Sequence, residues 1–293
     1  MDHREFHGDE VFETEAAGAK AGLNPMFGGW SQRFDFAPVP HRGTGGPVRQ
    51  AFKETIRAEL TNKFVFWGEV QVVIILYLDV QTVLETSETA DVDNYAKAIL
   101  DALKGPEGII IDDTQVQALT ISWIDSHKTY FEVEVRGSVD DFFTKPLRFF
   151  EMPDGLFYPQ PTHAWDPVGP KPYTDFDHFA GLMITEMMAG SKRHIRHVLR
   201  QAGQTRLEAS RNSTYFETQL RGFHRSRLAD TGYELVAIAD WRARRTAWAD
   251  QDQEKSKLLA ELAEGHRASM NNLAAALAAV DKASRKPSDR KGG

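Results

Sequence analysis

One stretch constrains this chain more than any other: Asp91 to Val116, DVDNYAKAILDALKGPEGIIIDDTQV. It opens with two carboxylates two residues apart, Asp91 and Asp93. Ala96, Ile99, Leu100 and Leu103 then recur at spacings of three and four, which predicts an amphipathic helix. Lys97 stands one turn after Asp93, so the two side chains share a helix face. Gly105, Pro106 and Gly108 stop the helix. The apolar run Ile109 to Ile111 reads as a short strand, and it ends in a second acidic pair, Asp112 and Asp113.

Hard divalent cations take oxygen ligands, few from protein, with water and substrate phosphate supplying the rest. A strand end and a helix start can bring Asp91, Asp93 and Asp113 to one point. Such a cluster suits Mg²⁺ and phosphodiester chemistry, with Lys97 near enough to offset charge. Each residue also has an ordinary reading. Aspartates before a helix are common N-caps, an Asp pair after a strand is a common turn, and Lys97 can pair with Asp93 or Asp101. Three carboxylates around one helix repel unless a cation holds them, and this tips the set toward a site.

The string D-V-D-N-x-x-K-A-I-L-D-A-L, followed by I-D-D-T-Q-V, resembles the RusA family of Holliday junction resolvases. That signature is D-x-D-N, a lysine, then D-D-x-Q-V after a short gap, and the resemblance covers about residues 30–138. It implies a homodimeric crossover junction endodeoxyribonuclease of bacteria, prophages or bacteriophages, acting on branched DNA in recombination and repair. It also implies Mg²⁺ as cofactor, or Mn²⁺ in its place. Asp91, Asp93 and Asp113 match the family's metal-binding acidic residues, and Lys97 its functional lysine. One departure stands out: Glu85 and Glu88 precede Asp91, where the family often carries arginines or a proline. That departure motivates a second reading, a branched-DNA-binding accessory protein without nuclease activity. A third is an oligomeric scaffold in which the acidic cluster is a structural turn.

The remaining chain is predicted to be α+β, with helices packed on a mixed sheet and a mainly helical region after it. Residues 1–29 read as a disordered acidic tail and 30–140 as the nuclease domain, ordered strand, helix, strand, helix, strand, strand, strand. Its strands are placed at Gln32–Phe36, Val70–Val80, Val116–Trp123 and Thr129–Val135, the last two joined as a hairpin. Val70–Val80 is apolar on nearly both faces and therefore central. Val48–Lys63 reads as a helix whose Arg49, Lys53 and Arg57 form a solvated row. Residues 141–174 hold most of a run of 7 of the 13 prolines (146 to 172) and read as a linker. Residues 175–283 read as helical, ending in a long helix over Gln253–Lys282, and 284–293 as a basic disordered tail.

Charge is uneven. Residues 1–150 carry 24 acidic and 14 basic side chains, and residues 191–250 carry 12 Lys and Arg against 6 acidic ones. Candidate DNA contacts are Arg42 and Lys128 in loops, and Lys192, Arg193, Arg196 and Arg200 in the basic helical stretch. His194 and His197 lack a third ligand, so zinc is not expected. The absence of cysteine excludes disulfides and thiolate sites and fits a cytoplasmic location. No apolar run approaches a membrane span, and no glycine pattern fits a nucleotide cofactor.

Overall fold

Val70–Leu78 is the strand on which the first half of the chain is built. The computed structural model describes residues 21–24, 28–60, 62–87, 91–138, 141–164, 171–213 and 221–284. In chain order the elements are β1 (Ala21–Asn24), β2 (Gly29–Phe34), α1 (Gly46–Glu59), β3 (Phe64–Phe66), β4 (Val70–Leu78), α2 (Val80–Glu85) and α3 (Val92–Leu103). Then come β5 (Val116–Asp125), β6 (Tyr130–Arg136), β7 (Phe142–Thr144), β8 (Leu147–Glu151), β9 (Phe157–Pro161), β10 (His163–Ala164) and β11 (Lys171–Pro172). The rest are α4 (Asp175–Gln201), α5 (Arg206–Ser213), α6 (Arg225–Leu228), β12 (Glu234–Val236), α7 (Ile238–Gln251) and α8 (Gln253–Ser284). The fold is α+β, as expected. No helix among the described residues is long and apolar enough to cross a membrane. The two predicted tails, apart from 21–24, 28–29 and Ser284, lie outside the described residues, as does Trp165 of the proline-rich stretch.

The chain forms two compact units and passes between them repeatedly. One contains Met1–Arg148, Pro161–Pro172 and Arg225–Glu234; the other contains Phe149–Gln160, Tyr173–His224 and Leu235–Gly293.

In the first unit a five-stranded sheet runs in the order β1-β2-β6-β4-β5. Only the β4–β5 pair is parallel, with the α2–α3 crossover joining its strands. Val70, Val72, Ile74, Leu76 and Leu78 are buried, whereas Val73, Ile75 and Tyr77 are half-exposed. β4 is therefore central as predicted, but its cover is one-sided. Phe52 and Ile56 of α1 and Ala96, Ile99, Ala102 and Leu103 of α3 join its buried face in one core. Burying a Phe, Ile or Leu side chain contributes about 1.5–3 kcal/mol, so this single layer of helix dominates the unit's stability.

The structure corrects four expectations. β5 and β6 are not a hairpin, because both pair with β4 and lie on either side of it. Ile109–Ile111 is not a strand; Ile110 makes isolated bridges to Phe66 and Lys104, since the preceding turn folds it back on its own helix. The row Arg49, Lys53, Arg57 is not merely solvated: Arg57 donates to the Ala102 and Lys104 carbonyls at 3.3 and 2.7 Å. Those are orphan carbonyls at the end of α3. The 141–174 stretch holds β7, β8 and β9 rather than being a plain linker. Pro159 and Pro161 fit because β9 is the outer strand of the β12-β8-β9 sheet, where a missing N–H costs no ladder bond.

The second unit is helical around Phe150, Met152, Phe179, Leu182, Met183, Trp241 and Trp248. Thr174 and Asp177 form a capping box that starts α4. The Trp241 indole N–H donates to the Glu151 carbonyl at 2.9 Å, and the Glu151 carboxylate accepts from the Ile238 N–H that opens α7. Phe149, Phe150, Phe157 and Tyr158, the aromatics of the proline-rich stretch, are buried packing residues. α8 runs unbroken through Gly265 and His266.

Candidate active site

Helix α3 carries the first acidic pair at its start. Asp91 occupies the N-cap position, but its side chain makes no capping hydrogen bond. The ordinary reason for an aspartate there is thus not in use. Asp93 sits in the first turn, where the helix dipole favours a negative charge. Asp91, Asp93 and Lys97 are all exposed, and among the described residues none of the three has a side-chain hydrogen bond or ion pair. Lys97 does not pair with Asp101, because Asp101 is held by Lys104 at 2.9 Å.

The second acidic pair divides its labour. Asp112 is buried and its carboxylate accepts from the Thr114 N–H at 3.1 Å and from the Thr114 hydroxyl. It caps a 3-10 turn over Asp113–Gln115, and Gln115 completes the capping box. Gln115 is wholly buried and satisfied on both ends. Its Oε1 accepts from the Ile111 and Asp112 N–H groups at 2.7 and 2.9 Å, and its Nε2 donates to the Phe66 and Gly68 carbonyls at 3.0 and 2.7 Å. One side chain therefore ties the acidic turn to the chain entering β4. Asp113 is left as the outward carboxylate, 37% exposed, with Lys104 Nζ at 3.7 Å.

Asp93, Lys97, Asp101 and Lys104 lie four, four and three residues apart, so they make one alternating charged stripe along α3. His41 joins it: its N–H donates to the Asn94 carbonyl at 2.9 Å, and its Nε2 lies 3.9 Å from Asp101. Burial pulls the Lys104 ammonium down, but Asp101, Asp113 and Asp112 outweigh it and hold its pKa above the ordinary lysine value. Lys104 is thus a fixed positive charge between two carboxylates.

The turn after α3 is equally specified. Gly105 has φ +99°, and a Cβ on Gly108 would overlap the Leu103 carbonyl. Arg225–Glu234 packs on this turn within the same unit: a Cβ on Gly105 would stand 3.1 Å from the Thr231 carbonyl oxygen, and Tyr233 is buried near Arg57. Lys145 reaches the Gly108 carbonyl, and burial pulls its ammonium down to about 8.

Asp91 and Asp93 stand at the first turn of α3 and Asp113 stands beside its last, across a helix roughly 18 Å long by its rise per residue. Among the described residues no group of three or more His, Cys, Asp or Glu is placed to hold a metal ion. The chemistry that does fit a hard cation is the Asp91–Asp93 pair: two exposed, partnerless carboxylates, with room for the waters Mg²⁺ retains.

Residues 47–136 match the family model of endodeoxyribonuclease RusA. The match covers a little under a third of the chain, from α1 to the end of β6. No curated protein matches the chain. Asp91, Asp93, Lys97, Asp113 and Gln115 all fall inside the RusA-type region, as does Lys128, exposed between β5 and β6. Arg42, exposed in the loop before α1, falls outside it. So do Lys192, Arg193, Arg196 and Arg200, which lie on α4 in the second unit; the Lys192 side chain is outside the described set. Gln115, Lys104 and Arg57 are the site's unforeseen supports. Of these only Gln115 had a legible signal, the D-x-x-Q spacing of a capping box.

Proposed function

We propose that this chain is a Mg²⁺-dependent endodeoxyribonuclease that cleaves four-way junctions or related branched DNA in recombination and repair. The observation that carries this reading is the partnerless Asp91–Asp93 pair at the start of α3, inside the RusA match. Asp91 and Asp93 are the residues to hold Mg²⁺, with Asp113 as the third. When bound, the ion activates water and neutralises charge on the phosphodiester. The start of α3 offers its backbone N–H groups and dipole to the same phosphate. Lys97, one turn on, contacts the scissile phosphate or its leaving oxygen. Asp112 and Gln115 keep the Asp113 turn fixed, and Lys104 sets the charge beside it. A homodimer supplies two such sites for paired nicks, and a cytoplasmic location completes the reading.

A labelled four-way junction and a plain duplex, each with Mg²⁺ or EDTA, test this with wild type and Asp93→Asn. Expected are paired Mg²⁺-dependent nicks on the junction that fall at least about 100-fold in the variant, as loss of a ligand exceeds that of an outer-shell partner. Mg²⁺ should also raise the wild-type Tm, and raise it less in Asp93→Asn. Unaltered cleavage in the variant would sink the assignment. A second reading, a non-catalytic binder of branched DNA, is favoured by the separation of Asp113 from the other two carboxylates. Tight junction binding without nicks would select it.

A further inference from the structure

Helix α4 keeps its apolar and its cationic residues on opposite sides. Ile195 and Leu199 are buried in a cluster with Ala209 and Leu273, and Ser191 hydrogen-bonds His266 of α8 at 2.8 Å. Arg193, Arg196, His197, Arg200 and Gln201 recur at helical spacing on the other side and line one open concavity of about 520 Å³. Like charges three and four residues apart destabilise a helix. The helix dipole offsets this only in the last turn, which Arg200 occupies and Arg193 does not. Among the described residues, Arg193 reaches only the Ala189 carbonyl, at 3.5 Å, and neither it nor Arg200 pairs with a carboxylate. The row inverts the sign of a chain whose net charge is −7.

We infer that the Arg193–Arg200 face of α4 docks the phosphate backbone of a duplex DNA arm. Guanidinium forks match phosphate oxygens in geometry as well as charge. From Arg193 to Arg200 the helix rises about 10 Å, which spans about three phosphates of one strand at 3.4 Å each along the axis. Such contacts hold DNA in register and carry no sequence information. The inference rests on the nuclease reading for its ligand and adds a holding surface outside the RusA match.

The test is fluorescence anisotropy of the full chain on a labelled junction and a labelled duplex, in EDTA, across 50–300 mM salt. Wild type is compared with Arg193→Gln/Arg196→Gln/Arg200→Gln, glutamine being a good helix former. At 100 mM salt the triple variant should bind about 10–100-fold more weakly, and its log–log salt slope should drop by about 2–3. Its far-UV circular dichroism should not change, and with Mg²⁺ its junction KM should rise while kcat at saturation holds. Should the triple variant misfold, Arg193→Gln alone at this exposed position must lower the slope by about 1. Unchanged affinity and slope would overturn the inference even if nicking persists. So would loss of polyglutamate binding with DNA binding intact, which would assign the face to an acidic protein segment. A wild type that binds through these arginines but never nicks would instead overturn the nuclease reading and leave this surface standing.

Discussion

Gln115 does more structural work than any other single polar side chain near the acidic turn, since four backbone groups depend on it. Gln115→Ala leaves them unpaired in a buried site, and each such group costs about 1–3 kcal/mol without full additivity. We expect a loss of about 3–5 kcal/mol, read as a lower urea midpoint with an unchanged m-value. Asp141 gives the pH dependence. It is buried with one carboxylate oxygen unpartnered, and burial together with the Glu69 charge pushes its pKa up to about 6. Between about pH 4 and 6 the folded chain therefore holds a proton that the unfolded chain has lost. The stability this proton confers is complete below about pH 4 and is gone above about pH 6–7, on the order of 2 kcal/mol. Asp141→Asn should flatten that fall and raise Tm at pH 8; an unchanged pH profile in the variant would remove Asp141 as its source. At this scale the sequence was legible for Asp91 and Asp93, whose exposure follows from their place before a helix. It was silent on Lys104, because only the folded turn sets Asp113 beside it.

Elements were legible where periodicity spoke and illegible where pairing had to be inferred. The apolar spacing of Ala96, Ile99 and Leu103 gave α3, and the run of β-branched residues gave β4, because both signals are local. The hairpin of β5 and β6 failed for the opposite reason. Two adjacent strands with a short turn normally pair, but here the turn steps over the end of β4, and the Ser126 N–H donates to the Leu78 carbonyl. The crossover through α2 and α3 had already placed β5 beside β4 in parallel, leaving only the other edge of β4 for β6. Proline density misled in a similar way: it excludes a central strand, not an outer one such as β9. Arg57 shows that a charged row can face another helix, and its bonds to the carbonyls closing α3 explain why it sits at half burial.

Across the whole molecule, the RusA-type region is not a detachable half. Arg225–Glu234 belongs to the first unit, and its Leu228 and Tyr233 are buried there. A fragment ending at Arg148 lacks both side chains. Losing the burial of two such residues costs about 1.5–3 kcal/mol each. We expect residues 28–148 alone to melt well below the full chain, with partial recovery when a synthetic peptide of residues 221–237 is added. Equal melting temperatures would show that the segment contributes nothing. The interleaving also sets a schedule for synthesis. Residue 148 leaves the ribosome 86 residues before residue 234, a delay of about 4–17 s at ordinary elongation rates. For that interval the turn between α3 and Asp112 waits without the segment that covers it. The nascent chain thus passes through a stage in which its sheet can already pair while the support for its acidic turn is still being translated.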